Sequence, residues 1–203
     1  MWGLTEKEIK IFKKLNTPAK IQDFLNTLKP NFEKKGETCS SPRTTLARGT
    51  SHCLEGAYLS AAILWFHGEK PLILDLKSSK KDFDHVVTLF KRNGRWGALS
   101  KTNHAVLRYR EPVYKSVREL ALSYFHEYFT NNDGKKTLIS FSKPFNLAKF
   151  GKSWITTEED LWDIGGLLDD SPHEDIYNKK SKKYFRKADP IEVEAGSLLE
   201  YKK

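Results

Sequence analysis

The sequence predicts an α+β fold in which N-terminal helices and a buried, cysteine-bearing helix pack on an antiparallel β-sheet. Three observations predict it. Helix start signals crowd the first fifty residues. From Leu54 to Phe66 nearly every position is apolar or small, so a helix there has no broad wet face and belongs inside the molecule. After Pro71 the pattern changes to short β-rich runs, two of them joined by Asn93-Gly94, the strongest short hairpin signal.

Taken in order, Leu4-Thr5-Glu6-Lys7-Glu8-Ile9 is a capping box with a staple, and it opens a helix to about Leu15. Thr17-Pro18 starts a second helix, with proline at the first helical position, and Pro30 ends it. The segment through Gly36 and Cys39 reads as loop. Ser41-Pro42 repeats the start signal for a brief helix closed by Gly49. Thr50 or Ser51 is placed to cap the central helix, which Gly68 ends in a left-handed conformation. Pro71 to Lys77 reads as a strand, Ser78 to Asp82 as a turn, and Asp84 to Phe90 as a strand that returns through Arg95 to Leu99. Ser116 opens a helix with Leu120, Ala121, Tyr124, Phe125 and Tyr128 at helical spacing, a stripe read as core. Leu138 to Phe141 suggests a strand. Thr157 opens a short helix that Gly165-Gly166 should stop, and Ile191 to Val193 suggests a last strand.

The length of 203 residues fits one domain, residues 1–150, with a C-terminal extension of mixed charge, 151–203, packed on it or partly disordered. No run approaches a membrane span, and the N-terminus lacks a secretory apolar region. Two cysteines without a framework indicate reduced thiols and a cytoplasmic protein, with a Cys39–Cys53 bridge left open. The net charge of +9 invites a nucleic-acid reading, but its distribution argues against one. The one dense basic cluster, Lys179 to Lys187, follows an acidic stretch from Glu158 to Asp175, and the two tracts could pair internally.

A cysteine in the first turn of a helix faces orphan N–H groups and the positive end of the helix dipole, and both favour the thiolate. The bland reading of Cys53 is a small apolar filler. What moves the balance is His85 on a following strand: imidazole takes the thiol proton, and a third polar group holds the ring in its useful tautomer. Metal and cofactor signatures are missing. No His-Glu-x-x-His occurs, no cysteine follows residue 53, and there is neither Gly-x-Gly-x-x-Gly nor a Walker lysine. A Gly-x-Ser-x-Gly elbow is absent too.

Gly49-Thr50-Ser51-His52-Cys53 with Ala57, then Asp84-His85-Val86-Val87, then Gly94-Arg95-Trp96-Gly97-Ala98-Leu99 resembles the transglutaminase-like superfamily of the papain-like cysteine fold. The superfamily core runs cysteine helix, histidine strand, aspartate strand, and the resemblance covers roughly residues 17–130. It implies Cys53 as nucleophile and His85 as its base. Where the superfamily carries aspartate, four residues after the strand's tryptophan, this sequence has Ser100. Ser100 and Asn103 are the candidates to orient His85. Asp82 and Asp84 are further ones, although Asp84 should point away from its neighbour. Trp96 reads as core, and the Cys53 backbone N–H as an oxyanion donor. The resemblance implies an enzyme acting on an amide bond of a protein or peptide through an acyl-thioester, with no cofactor, and passing the acyl group to water or an amine. The alternative is a catalytically inactive protein-binding module of the same superfamily. An exposed Cys53 within reach of His85 favours the enzyme, and a sealed one the module.

Overall fold

The computed structural model describes residues 2–34 and 36–202. The fold is α+β, and its first half follows local signals closely. Helix α1 (Glu6–Lys14) opens with the capping box: Thr5 Oγ1 accepts from the Glu8 N–H at 3.2 Å, and Glu8 Oε2 accepts from the Thr5 N–H at 2.6 Å. Helix α2 (Pro18–Thr27) is capped by Thr17. Strand β1 (Lys29–Pro30) follows it. Helix α3 (Pro42–Arg48) is capped by Ser41 and closed by Gly49, whose φ of +66° needs no Cβ.

Thr50 and Ser51 do not cap the central helix. They form β2 (Thr50–Ser51), paired in parallel with β1, and His52 takes the cap position of α4 (Cys53–Phe66). The pairing consumes the extended backbone of both residues and so moves the helix start by one or two positions. Gly68 terminates α4 as expected, with its N–H bonded to the Trp65 carbonyl.

The sheet then builds from β3 (Leu72–Ser78), β4 (His85–Arg92), β5 (Arg95–Ser100) and β6 (Arg110–Tyr114). Helix α5 (Val117–Ser123) is shorter than the sequence suggests. A 3-10 turn over Phe125–Glu127 continues it, and Tyr124 and Tyr128 stay buried. Strands β7 (Leu138–Ser142) and β8 (Phe145–Asn146), helix α6 (Trp162–Asp169), strand β9 (His173–Asp175) and helix α7 (Pro190–Ser197) complete the chain. Sheet order is β6-β5-β4-β3-β7-β9, with β8 also beside β3, and every pairing within it is antiparallel.

Two expectations fail here. Gly165-Gly166 does not stop a helix but lies inside α6, where Gly165 lets the helix approach Leu54, Tyr58 and the Cys39 sulfur. Ile191 to Val193 is helix α7, because Asp189-Pro190 with Glu192 three residues on is a start signal that outweighs two β-branched residues.

Alternation along β4 divides the interior. Val86, Thr88 and Phe90 face α4, with Val86 and Phe90 in a core that takes in α1, α2 and Trp154, Ile155, Ile164 and Leu168 from beyond residue 150. Val87 and Leu89 face a second core with Leu120, Tyr124 and Tyr128. A buried polar contact ties α4 to β4: the Thr88 hydroxyl donates to the Ala57 carbonyl at 2.8 Å and lies 2.7 Å from the Ser60 hydroxyl. Among the described residues no helix is long and apolar enough to cross a membrane.

Candidate active site

Cys53 is the first residue of a 14-residue helix, where its backbone N–H has no intrahelical partner. The residue is partly exposed and lines a cavity of about 440 Å3. Cys39, the other free thiol, is fully buried, and burial pushes its pKa up to about 12. The two cysteines therefore sit in opposite environments.

His85 heads β4 and is almost fully buried. The β4–β5 register pairs Val87 with Ser100, which makes His85 and Ser100 diagonal neighbours on one face. His85 Nε2 lies 2.7 Å from Ser100 Oγ, and the Ser100 hydroxyl donates to the Leu107 carbonyl at 2.5 Å. With its only proton committed to Leu107, Ser100 accepts the proton on Nε2. The neutral ring then carries no proton on Nδ1, the nitrogen left to act as base.

Further residues hold this chain in place. The Gln22 amide brackets Ser100, donating to its carbonyl at 2.8 Å and accepting from its N–H at 2.9 Å. Leu107 has a φ of +60°, which a branched side chain rarely adopts. Glu127 Oε2 accepts from the Leu107 N–H at 2.7 Å and pairs with Arg110 at 2.8 Å. Tyr128 donates to the Phe83 carbonyl at 2.6 Å, anchoring the loop before His85.

A second imidazole flanks the thiol. His52 Nε2 donates to the Thr38 carbonyl at 2.9 Å, which leaves Nδ1 for its neighbour Cys53. Burial alone would raise the Cys53 pKa. Hydrogen bonds and positive charge from His52 and His85 outweigh it and hold the thiol well below its usual range. The converse holds for His52: burial opposes its charge, but the Cys53 contact and the Cys53 and Glu55 charges raise its pKa to about 9. Glu55 is fully buried, and burial resists its ionisation. The His52 charge and hydrogen bonds from the His52 N–H, Thr38 and Asn31 reverse that balance and lower its pKa. Lys101, buried on the cavity wall, donates from Nζ to the Leu28 carbonyl at 2.5 Å, and burial lowers its pKa.

The other residues named from the sequence lie elsewhere. Asn103 lines the cavity, but both ends of its amide are spent on Tyr201, to the carbonyl at 2.8 Å and from the N–H at 2.9 Å. It does not orient His85. Asp84 accepts from the Ser78 N–H and Asp82 from Thr137, so neither reaches the ring. Trp96 packs with the second core, under Lys91. Sequence reasoning missed the parts played by Gln22, His52, Glu55, Leu107 and Glu127. His52 and Glu55 had local signals, as the neighbour of the thiol and as a carboxylate three residues past a helix cap.

Among the described residues, Asp75, Asp84 and Asp169 bring carboxylate oxygens within 4.8 Å of one another. Lys77 sits 2.6 Å from Asp169 and His173 3.1 Å from Asp75, so protein cations already face the cluster. The Cys53 cavity itself offers a thiol, two imidazoles and a free backbone N–H, the parts of nucleophilic acyl chemistry. Comparison with models of known protein families and with curated proteins finds no match to this chain.

Proposed function

We propose that the chain is a thiol enzyme of the transglutaminase-like, papain-like kind that acts on an amide bond of a protein or peptide, in a reducing compartment such as the cytoplasm. One observation carries the reading: a partly exposed Cys53 at a helix start, flanked by a His85 whose tautomer Ser100 sets. A sealed thiol would have favoured the binding-module alternative.

His85 Nδ1 takes the proton from Cys53 Sγ, and the thiolate attacks the amide carbonyl carbon. The oxygen of the tetrahedral intermediate gains negative charge, which the Cys53 N–H meets. The C–N bond breaks, the leaving amine takes the proton from His85, and an acyl-thioester remains on Sγ. Water or an amine then attacks with His85 as base, and Cys53 recovers its proton.

The test is the rate at which iodoacetamide labels Cys53 against pH, read by peptide mass spectrometry. Parent protein is expected to label in the neutral range, and His85→Ala to label only toward the ~8.5 of a free thiol. Hydroxylamine trapping of the acyl group from glutamine-containing peptides tests the thioester. An inert Cys53, or one indifferent to His85, overturns the reading in favour of a non-catalytic binding module.

A further inference from the structure

The basic cluster at 179–187 does not neutralise the acidic tract before it. Among the described residues Arg186 pairs with Asp189, while Asp169 pairs with Lys77 and Glu174 with Arg118. The unused charge converges on a groove of about 480 Å3. The turn between β3 and β4 brings Lys80 and Lys81 to it, and the segment before β7 brings Lys135 and Lys136. Lys182, Arg186 and Lys187 close it from the C-terminal side, and among the described residues its acidic neighbours are Asp133 and Asp189, paired with Lys135 and Arg186 outside its lining. Lys135 is answered by Asp133, and Lys136 donates to the His126 carbonyl. Among the described residues, Lys80, Lys81, Lys182 and Lys187 have no side-chain partner and are exposed.

The groove is continuous with the thiol site. An intervening cleft of about 750 Å3 shares Lys81 and Thr130 with the groove. The same cleft shares Asp82, Phe83, His104, Leu107 and Tyr128 with the Cys53 cavity. At the junction stands Phe83, 90% exposed and so poised to meet an apolar group of a ligand.

We infer that the Cys53 site serves a polypeptide whose reacting amide lies some residues from a run of aspartate or glutamate, which docks in this lysine-lined groove. The inference rests on the thiol-enzyme reading. Continuity with the Cys53 cavity, whose thiol the proposed reaction turns on an amide bond, selects a polypeptide over a nucleic acid. The groove's one aromatic among the described residues, Phe185, is half-buried and packs against Phe125 and Tyr177 with centroids 5.3 and 4.7 Å away. Six of the seven cations are lysines, point charges that complement a run of carboxylates.

Binding is measured by fluorescence anisotropy on Cys53→Ala protein, with a labelled peptide carrying five glutamates beside a Gly-Gln-Gly segment. Controls are the same peptide with serine for glutamate, and a labelled oligo-dT of equal charge. The glutamate peptide is expected to bind at least about tenfold tighter than the serine peptide, and to weaken with added NaCl. Lys80→Glu/Lys182→Glu/Lys187→Glu, whose native circular dichroism spectrum is checked first, should lose that preference. Equal binding of the two peptides, or no effect of the triple variant, overturns the inference. Oligo-dT binding as tight as the acidic peptide, and equally sensitive to the triple variant, also overturns it, in favour of a nucleic-acid groove. Turnover is followed separately on the parent. Acidic-peptide binding without turnover removes the thiol-enzyme reading and leaves the docking groove. Turnover with equal KM for both peptides removes the groove and leaves the enzyme.

Discussion

Ser100→Ala isolates the group that stands where a carboxylate is expected. Removing the hydroxyl strips two partners at once, the buried Nε2–H of His85 and the partly buried carbonyl of Leu107. Each unpaired buried group costs about 1–3 kcal/mol. Ser100 is 2% exposed, which leaves water little room to substitute, so a loss of about 2–4 kcal/mol in urea unfolding is expected. Reactivity should fall further than stability alone requires. A hydrogen bond to a charged ring contributes about 1.5–3 kcal/mol, or about 10–150-fold in the equilibrium that forms the thiolate–imidazolium pair. The assay is the pH profile of Cys53 alkylation on protein shown folded by circular dichroism, with Ser100→Asp as the companion variant. A carboxylate at 100 accepts from His85 but confronts the Leu107 carbonyl without a proton between them. Ser100→Asp should therefore lose stability and not exceed parent reactivity. The reasoning is refuted if Ser100→Ala unfolds within about 0.5 kcal/mol of parent and keeps its alkylation profile.

Three more outcomes follow from the same contacts. The Glu8 carboxyl is held near 2, chiefly by its hydrogen bond to Arg43, with burial opposing. Its stabilisation is thus present above its unfolded value of about 4.5 and lost as pH falls toward 2, so the deficit of Glu8→Gln, about 1–2 kcal/mol at pH 7, should close over that window in chemical denaturation. The His52 contribution is full below 6.5 and lost as pH rises through about 9, while that of the depressed Cys53 is full above its ordinary 9.0 and lost as pH falls. Between about 6.5 and 9 the two changes offset each other and above 9 the Cys53 contribution remains, so stability is level from about 6.5 upward and falls below it. His52→Gln should turn the level stretch into a slope and delay Cys53 alkylation to higher pH. Gly56→Ala gains helix propensity, but its Cβ would stand 2.6 Å from Lys101 Cβ beside Ser100, so a net loss of about 1–3 kcal/mol with slower alkylation is expected.

What the sequence made legible was local or periodic. Thr5 and Glu8 cap α1 through contacts three residues apart, and Asn93-Gly94 turns the hairpin that sets Ser100 diagonally beside His85. The nearly continuous run of apolar and small residues in α4 announced a buried helix, and Cys53 stood at its start. What stayed hidden depends on pairs far apart in the chain. Gln22 meets Ser100 across 78 positions and Asn103 meets Tyr201 across 98, distances at which residue type carries no positional signal. The double glycine of α6 misled for the same reason. Its use, close approach to Cys39 and Tyr58, becomes visible only when α6 lies against α4.

The alternation along β4 has a consequence for engineering. Cys53 belongs to a helix seated in one core, whereas His85 and Ser100 share the strand faces that look into the other. The thiol and the imidazole are thus mounted on separate foundations that meet at the rim of the sheet, with the Thr88–Ala57 contact as a dowel between them. A repacking of Leu120 or Tyr124, neither of which lines the Cys53 cavity, shifts one foundation against the other. Repacking on the distal side of the sheet is therefore expected to change the rate of Cys53 alkylation while leaving every residue that lines its cavity in place.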